Sequence, residues 1–261
     1  MVISYHLNQQ EERTQFPKPP FYDMRMALRL SIPDHEAMKP REIIVETTSC
    51  TGTHLALVEH DGRYFLECEG RQIAASHLGD AARTLVETLS RPFRPARQPR
   101  LIFLGLGLGH ALRAVQEALP QEKSSFVVFP EASELAEWLQ EHLPDNPLDD
   151  ERIHLEDRSP FETLSKKYSD SQAIVADLDH LDALAPKEWL PTSPAVLSNF
   201  HEHLKNGGLL GLISTRSIPG LEKALRKVGF EVAVDLIPLS EKSKKHRTLY
   251  LARKGHYQRS H

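Results

Sequence analysis

Little in this chain points to a covalent scaffold, a membrane or a polyanion. Cysteine is scarce: the 261 residues hold two, Cys50 and Cys68. That is too few for a disulfide framework, and both are expected to be reduced. No apolar run approaches the length of a membrane span. The opening stretch MVISYHLNQQEERTQF lacks the apolar centre of a signal peptide. A formal net charge of -4 is too near neutral to argue for nucleic acid or a membrane surface. Fourteen histidines are present, yet none has metal-ligand spacing with cysteine or carboxylate partners. Internal repeats are absent. The expectation is a soluble, cytoplasmic protein with no metal and no membrane or nucleic-acid partner.

What is present is the composition of an ordinary globule, 40% hydrophobic and 26% charged. The length fits one large α/β domain with a smaller unit attached. Residues 1–40 are polar and carry Pro17, Pro19, Pro20, Pro33 and Pro40. They read as an arm, either disordered or draped over a partner subunit, and a homodimer is the expected assembly. Residues 41–99 read as a small β unit plus a helix. Ile43, Val45 and Thr47 alternate with polar neighbours, as do the residues from Leu55 to His60. Asp61-Gly62 then separates them from Arg63–Glu69, and Asp-Gly between alternating runs signals a hairpin. Gln72–Ala75 is a further short strand. Asp80–Leu89 follows as a helix with Ala82, Leu85, Val86 and Leu89 inward. Trp138 and Trp189 read as packing residues.

Residues 100–261 are organised around RLIFLGLGLGHALRAV, Arg100 to Val115. Leu101–Leu104 fits a strand buried on both faces of a parallel sheet. Gly105, Gly107 and Gly109 follow, and then a helix with Leu112, Val115 and Leu119 on one face. Strand, glycine turn and helix make a recipe for a nucleotide pocket, because the backbone is approachable and the helix start offers free N–H groups. The spacing lacks the later glycine of the dinucleotide fingerprint and better suits a nucleoside with an amino-acid-like tail. Further strands are expected at Ser125–Phe129, Arg152–Leu155, Ala173–Asp177 and Leu209–Ile213. Helices are expected at Ser133–His142, Pro160–Lys167, Pro194–Leu204 and Pro219–Val228. Strands alternating with helices imply a parallel sheet. Phe230–Leu236 and Thr248–Ala252 are joined without a helix and must pair antiparallel. The basic run from Lys242 to Arg259 reads as a solvated loop and tail. The fold class is therefore α/β, a class I methyltransferase-like (Rossmann-like) seven-stranded sheet with an antiparallel last strand, preceded by a small N-terminal antiparallel β unit.

In its order of pieces the chain resembles the spermidine-synthase-like family. The matching segments are the hairpin with Gly70, the helix Asp80–Leu89, GLGLGHALRA, ELAEW at Glu134–Trp138, RIHLED at Arg152–Asp157, AIVADLDH at Ala173–His180 and LKNGGLLGLIS at Leu204–Ser214. The resemblance implies a pocket for S-adenosylmethionine or its decarboxylated form above Gly105, Gly107 and Gly109. It implies a ribose acid after the second strand, where the family position falls on Pro130 and Glu131 stands one residue later. It implies an acid for the adenine amino group at Asp157. A strand-end carboxylate to take the acceptor's proton falls on Asp177, with Asp179 to hold a cationic polyamine and His180 as a base near neutral pH. The stretch Asp177–Asp182 is expected to be a loop.

Two departures weigh against spermidine synthesis itself. The helix start has only Asp80 where the family clusters polyamine-binding groups, and Leu108 stands where the family often has aspartate. The reading is a transferase moving an aminopropyl or methyl group to an unidentified acceptor. The alternative is a non-catalytic paralogue acting as a ligand sensor or interaction module; a nucleic-acid methyltransferase using the basic tail is a third, weaker idea.

Overall fold

The apolar run before the glycine turn forms strand β5, Arg100–Leu104, and its burial explains the architecture. Leu101 and Phe103 enter one hydrophobic cluster, and Ile102 and Leu104 enter another. Successive side chains of a strand point to opposite faces, so a strand covered on both sides must be apolar throughout. The computed structural model describes residues 40–49, 52–239 and 243–255, apart from the side chains of 165 and 166. Residues 1–39 of the expected N-terminal arm and Cys50 lie outside those residues.

Around β5 run β6 (Ser125–Phe129), β7 (Ile153–Leu155), β8 (Ser171–Asp177) and β9 (Leu204–Ser214), all parallel to one another. The sheet is completed by β10 (Phe230–Pro238) and β11 (His246–Lys254), in the order β10-β11-β9-β8-β5-β6-β7. β11 is the antiparallel strand and inserts between β10 and β9. This is the seven-stranded class I methyltransferase arrangement. The helices α2 (His110–Ala118), α3 (Glu134–His142), α4 (Pro160–Lys167), α6 (Pro194–His203) and α7 (Leu221–Val228) fall where strand-helix alternation predicts them. Trp138 and Trp189 are buried.

Two expectations need correction. The stretch after β8 is not a loop: Leu178–Leu184 forms a helix, α5, with Leu178, Leu181 and Leu184 buried. Asp177 is its N-cap, accepting from the Asp179 backbone N–H at 3.1 Å. The basic C-terminal run is not simply a loop and tail, because β11 occupies its middle.

The small unit is a second sheet of β1 (Glu42–Thr48), β2 (His54–His60), β3 (Arg63–Cys68) and β4 (Arg71–Ala75), paired antiparallel in that order. At the β2–β3 turn Asp61 and Gly62 both take positive φ, 51° and 71°, as a type I′ hairpin requires. Leu55, Leu57, Leu66 and the Cys68 side chain join the main sheet's core through helix α1, Asp80–Ser90. That helix lies so close to β9 that a Cβ on Gly211 would come within 2.3 Å of Leu89. Two imidazoles fasten β4 to the main sheet. His110 Nε2 lies 3.0 Å from the Ala75 carbonyl oxygen, and His180 Nε2 lies 3.2 Å from that of Ile73. No described helix is long and apolar enough to cross a membrane.

Leu89 is fully buried, so Leu89→Ala should cost about 2–5 kcal/mol in denaturant unfolding. Burial pushes the His110 imidazole below its ordinary value of 6.5, with Arg113 and His180 adding to it. The unfolded chain then binds the proton more readily. Stability should be full above 6.5 and fall as pH drops below it. A melting series from about pH 7 to about pH 5 should show that decline. His110→Gln should flatten part of it, leaving the share of His201, which burial also pushes down. An unchanged slope would contradict the assignment.

Candidate functional site

The sheet order reverses between β5 and β8, since the chain moves outward through β6 and β7 and returns to β8. At such a switch point the loops leave in opposite directions and open a crevice at the strands' carboxyl ends. Here the crevice contains a cavity of about 210 Å³. Its floor is the glycine turn and the ends of β5 and β8, and β4 and α1 roof it. The volume is below the ~300 Å³ at which ligand pockets usually begin.

Glu131 follows β6 by two residues and turns back into the glycine turn. Its carboxylate accepts the backbone N–H of Gly107 at 2.8 Å and that of Leu106. The side chain is wholly covered. His180 covers it from the cavity side, with Nδ1 3.9 Å from the Glu131 carboxylate and Nε2 3.9 Å from that of Asp177. The imidazole lies over Gly107, where a Cβ would meet it at 3.0 Å. Gly107 has φ 51°; a side chain there would be strained and would push the ring away. Gly105 borders Glu131 and lines the cavity, whereas Gly109 faces Pro147.

Asp177 and Asp179 sit on the other wall, bridged by Arg247 from β11. Its Nη2 donates to Asp177 Oδ1 at 2.6 Å and to Asp179 Oδ2 at 2.9 Å. Asp179 also accepts from the Ser214 hydroxyl at 3.0 Å, the Thr215 N–H at 2.6 Å and the Thr215 hydroxyl at 3.2 Å. Burial disfavours a charge on Asp177, but His180 and Arg247 outweigh it and hold the carboxyl below its usual range. The guanidinium of Arg247 is correspondingly raised, the two aspartates overcoming its burial.

The fold thus brings together Gly105, Gly107, Glu131, Asp177, Asp179 and His180. Asp157 is not among them. It is exposed in the loop after β7, beside a separate shallow pocket with Glu156 and Lys167. Ser159 stands at the N-cap of α4 without a side-chain capping bond. Sequence reasoning missed Arg247, His110 and helix α5. The threefold spacing of Leu178, Leu181 and Leu184 was the signal for α5. Arg247 carried no such signal, because its partners lie about seventy residues away in the chain.

Comparison with known proteins gives a likeness of structure. No protein-family model matches the chain, and no curated protein matches it. Among solved structures, spermidine synthase from Thermotoga maritima is 17% identical, with a TM-score of 0.63 over 82% of this chain and 73% of that one. A spermidine synthase in complex with the transition state analogue AdoDATO gives 17% and 0.65, over 82% and 74%. A probable spermidine synthase from Corynebacterium glutamicum gives 17% and 0.57, over 82% and 80%. The chain therefore shares the fold of the spermidine synthases, small sheet and methyltransferase-like sheet together.

Proposed function

We propose that the protein binds an adenosyl sulfonium compound, S-adenosylmethionine or its decarboxylated form, across the glycine turn, and transfers a methyl or aminopropyl group to an acceptor in the cavity. The observation that carries this reading is the convergence of Glu131, His180 and Asp177 on one glycine turn at the sheet's switch point. The donor set fits such a group. A carboxylate has about four lone-pair positions. Two on Glu131 are taken by the turn's N–H groups, and the others suit the two hydroxyls of a ribose. Those positions become accessible when the His180 ring turns aside. The cavity is large enough for an alkyl arm and a small acceptor, and the nucleoside extends outward over Gly105 and Gly107.

When bound, the sulfonium supplies an electrophilic carbon and leaves as a neutral thioether. The chain's own residues supply alignment and one base, which is most of what such a transfer needs. Asp177 Oδ1 is committed to Arg247 and to the Asp179 N–H. Its Oδ2 takes the acceptor's proton as the acceptor lone pair forms the new bond. Asp179 holds Arg247 and the Ser214-Thr215 turn in place. His180, anchored on the Ile73 carbonyl, keeps water from the Glu131 carboxylate until ligand arrives.

Calorimetric titration with methylthioadenosine, S-adenosylmethionine and decarboxylated S-adenosylmethionine tests the reading. At least one should bind. Glu131→Gln replaces one acceptor by a donor facing the turn's N–H groups. It should weaken binding at least tenfold, an amount consistent with the ~1–3 kcal/mol cost of an unsatisfied buried group. Heat from none of the three at millimolar ligand would sink the proposal. Asp177→Asn preserves the N-cap but removes the base. It should leave nucleoside affinity within about twofold and lower transfer by about 100-fold or more. Binding with no transfer by the unaltered protein to any acceptor would favour the non-catalytic alternative.

A further inference from the structure

Counting lone pairs on the two aspartates narrows what the cavity accepts. Asp179 Oδ1 takes the Ser214 and Thr215 hydroxyls, and its Oδ2 takes the Thr215 N–H and Arg247 Nη2. All four of its positions are filled. Asp177 Oδ1 takes Arg247 Nη2 and the Asp179 N–H. Only Asp177 Oδ2 remains, so the wall offers one carboxylate oxygen rather than two carboxylates. Between the two acids, where an alkylammonium would be held, sits the chain's own guanidinium. Arg247 lines the cavity at 9% exposure, and its Nε has no hydrogen-bond partner among the described residues.

The other ionisable groups on the lining are the imidazoles of His110 and His180, each turned by one nitrogen to a β4 carbonyl. The rest is largely apolar, with Ile73, Leu78, Leu85, Phe103, Val175 and Ile213. An alkylammonium acceptor entering this space meets the fixed guanidinium of Arg247 and finds one carboxylate oxygen, Asp177 Oδ2, with no second acid to replace the rest of its hydration. A hydroxyl meets what it needs: its O–H donates to Asp177 Oδ2 and its lone pairs accept from an arginine donor.

We propose, building on the reading above, that the acceptor is a small uncharged molecule, mainly apolar, presenting a single hydroxyl, and that Arg247 is the residue that excludes amines. Arg247 occupies the seat of the cation and so sets the class of acceptor.

Benzyl alcohol and benzylamine test this, being nearly the same shape and differing in charge at neutral pH. Binding is read from the ring resonances of His110 and His180, which report occupancy of this cavity. Wild-type protein should bind the alcohol at least tenfold more tightly than the amine. Arg247→Gln releases both aspartates and should raise amine affinity at least tenfold, whereas Arg247→Lys should keep the wild-type order. Equal binding, preference for the amine, binding of neither probe, or an unchanged ratio in a folded Arg247→Gln protein overturns the proposal. The wild-type ratio is decisive even where a variant does not fold. A methylthioadenosine titration on the same sample separates the two readings. Preference for the alcohol without nucleoside binding would sustain the acceptor class and remove the adenosyl compound.

Discussion

The carboxylate of Glu131 accepts hydrogen from two successive N–H groups of the glycine turn, and the layout of the site depends on that grip. The turn leaves β5 with backbone donors pointing into a space between strands, where water reaches them poorly. Unpaired, each would carry a desolvation cost. Glu131 meets that need from the neighbouring strand and ties the ends of β5 and β6 together. It also sets a negative group beside Gly107, 3.9 Å from Nδ1 of His180, whose other nitrogen is held by the Ile73 carbonyl. One residue after Pro130 is enough, because the chain bends back there before α3 begins.

Arg247 imposes the second constraint, and it arrives from the far end of the sequence. Its strand lies between β9 and β10, so the guanidinium reaches the end of β8 from the side. There it joins the cap of α5 to the turn after β9. A buried arginine with two carboxylates is expensive to desolvate and costly to break. Its presence at the mouth of a cavity is therefore a statement about chemistry as much as about stability. The negative charge of this wall is neutralised in part by the protein itself.

The parts of this arrangement that were legible in the sequence have short-range causes. Leu101–Leu104 announces a strand covered on both faces, Asp61-Gly62 announces its turn, and the strand-helix alternation announces a parallel sheet. Glu131, Asp177, Asp179 and His180 were singled out because each ends or follows a strand at the edge where such folds bind ligands, and the structure brings the four together. Asp157 was grouped with them by the same rule, yet the short β7 carries it to a separate pocket. Helix α5 was hidden because three acids in six residues resemble a solvated loop, although its leucines keep helical spacing. The role of Arg247 was out of reach, since it depends on pairing between segments about seventy residues apart.

The fastening of β4 has a consequence during synthesis. The small sheet is complete once Ala75 has been made, but its outer strand then lacks the imidazole partners of Ile73 and Ala75, and only the Ala75 carbonyl has a local donor, the Leu78 N–H. His110 comes 35 residues after Ala75, and His180 comes 107 residues after Ile73. For that interval the nascent chain carries an open β-edge able to recruit another strand. The imidazoles that later shape the cavity also close this edge, so a protein short of its second half would be prone to stick to its neighbours.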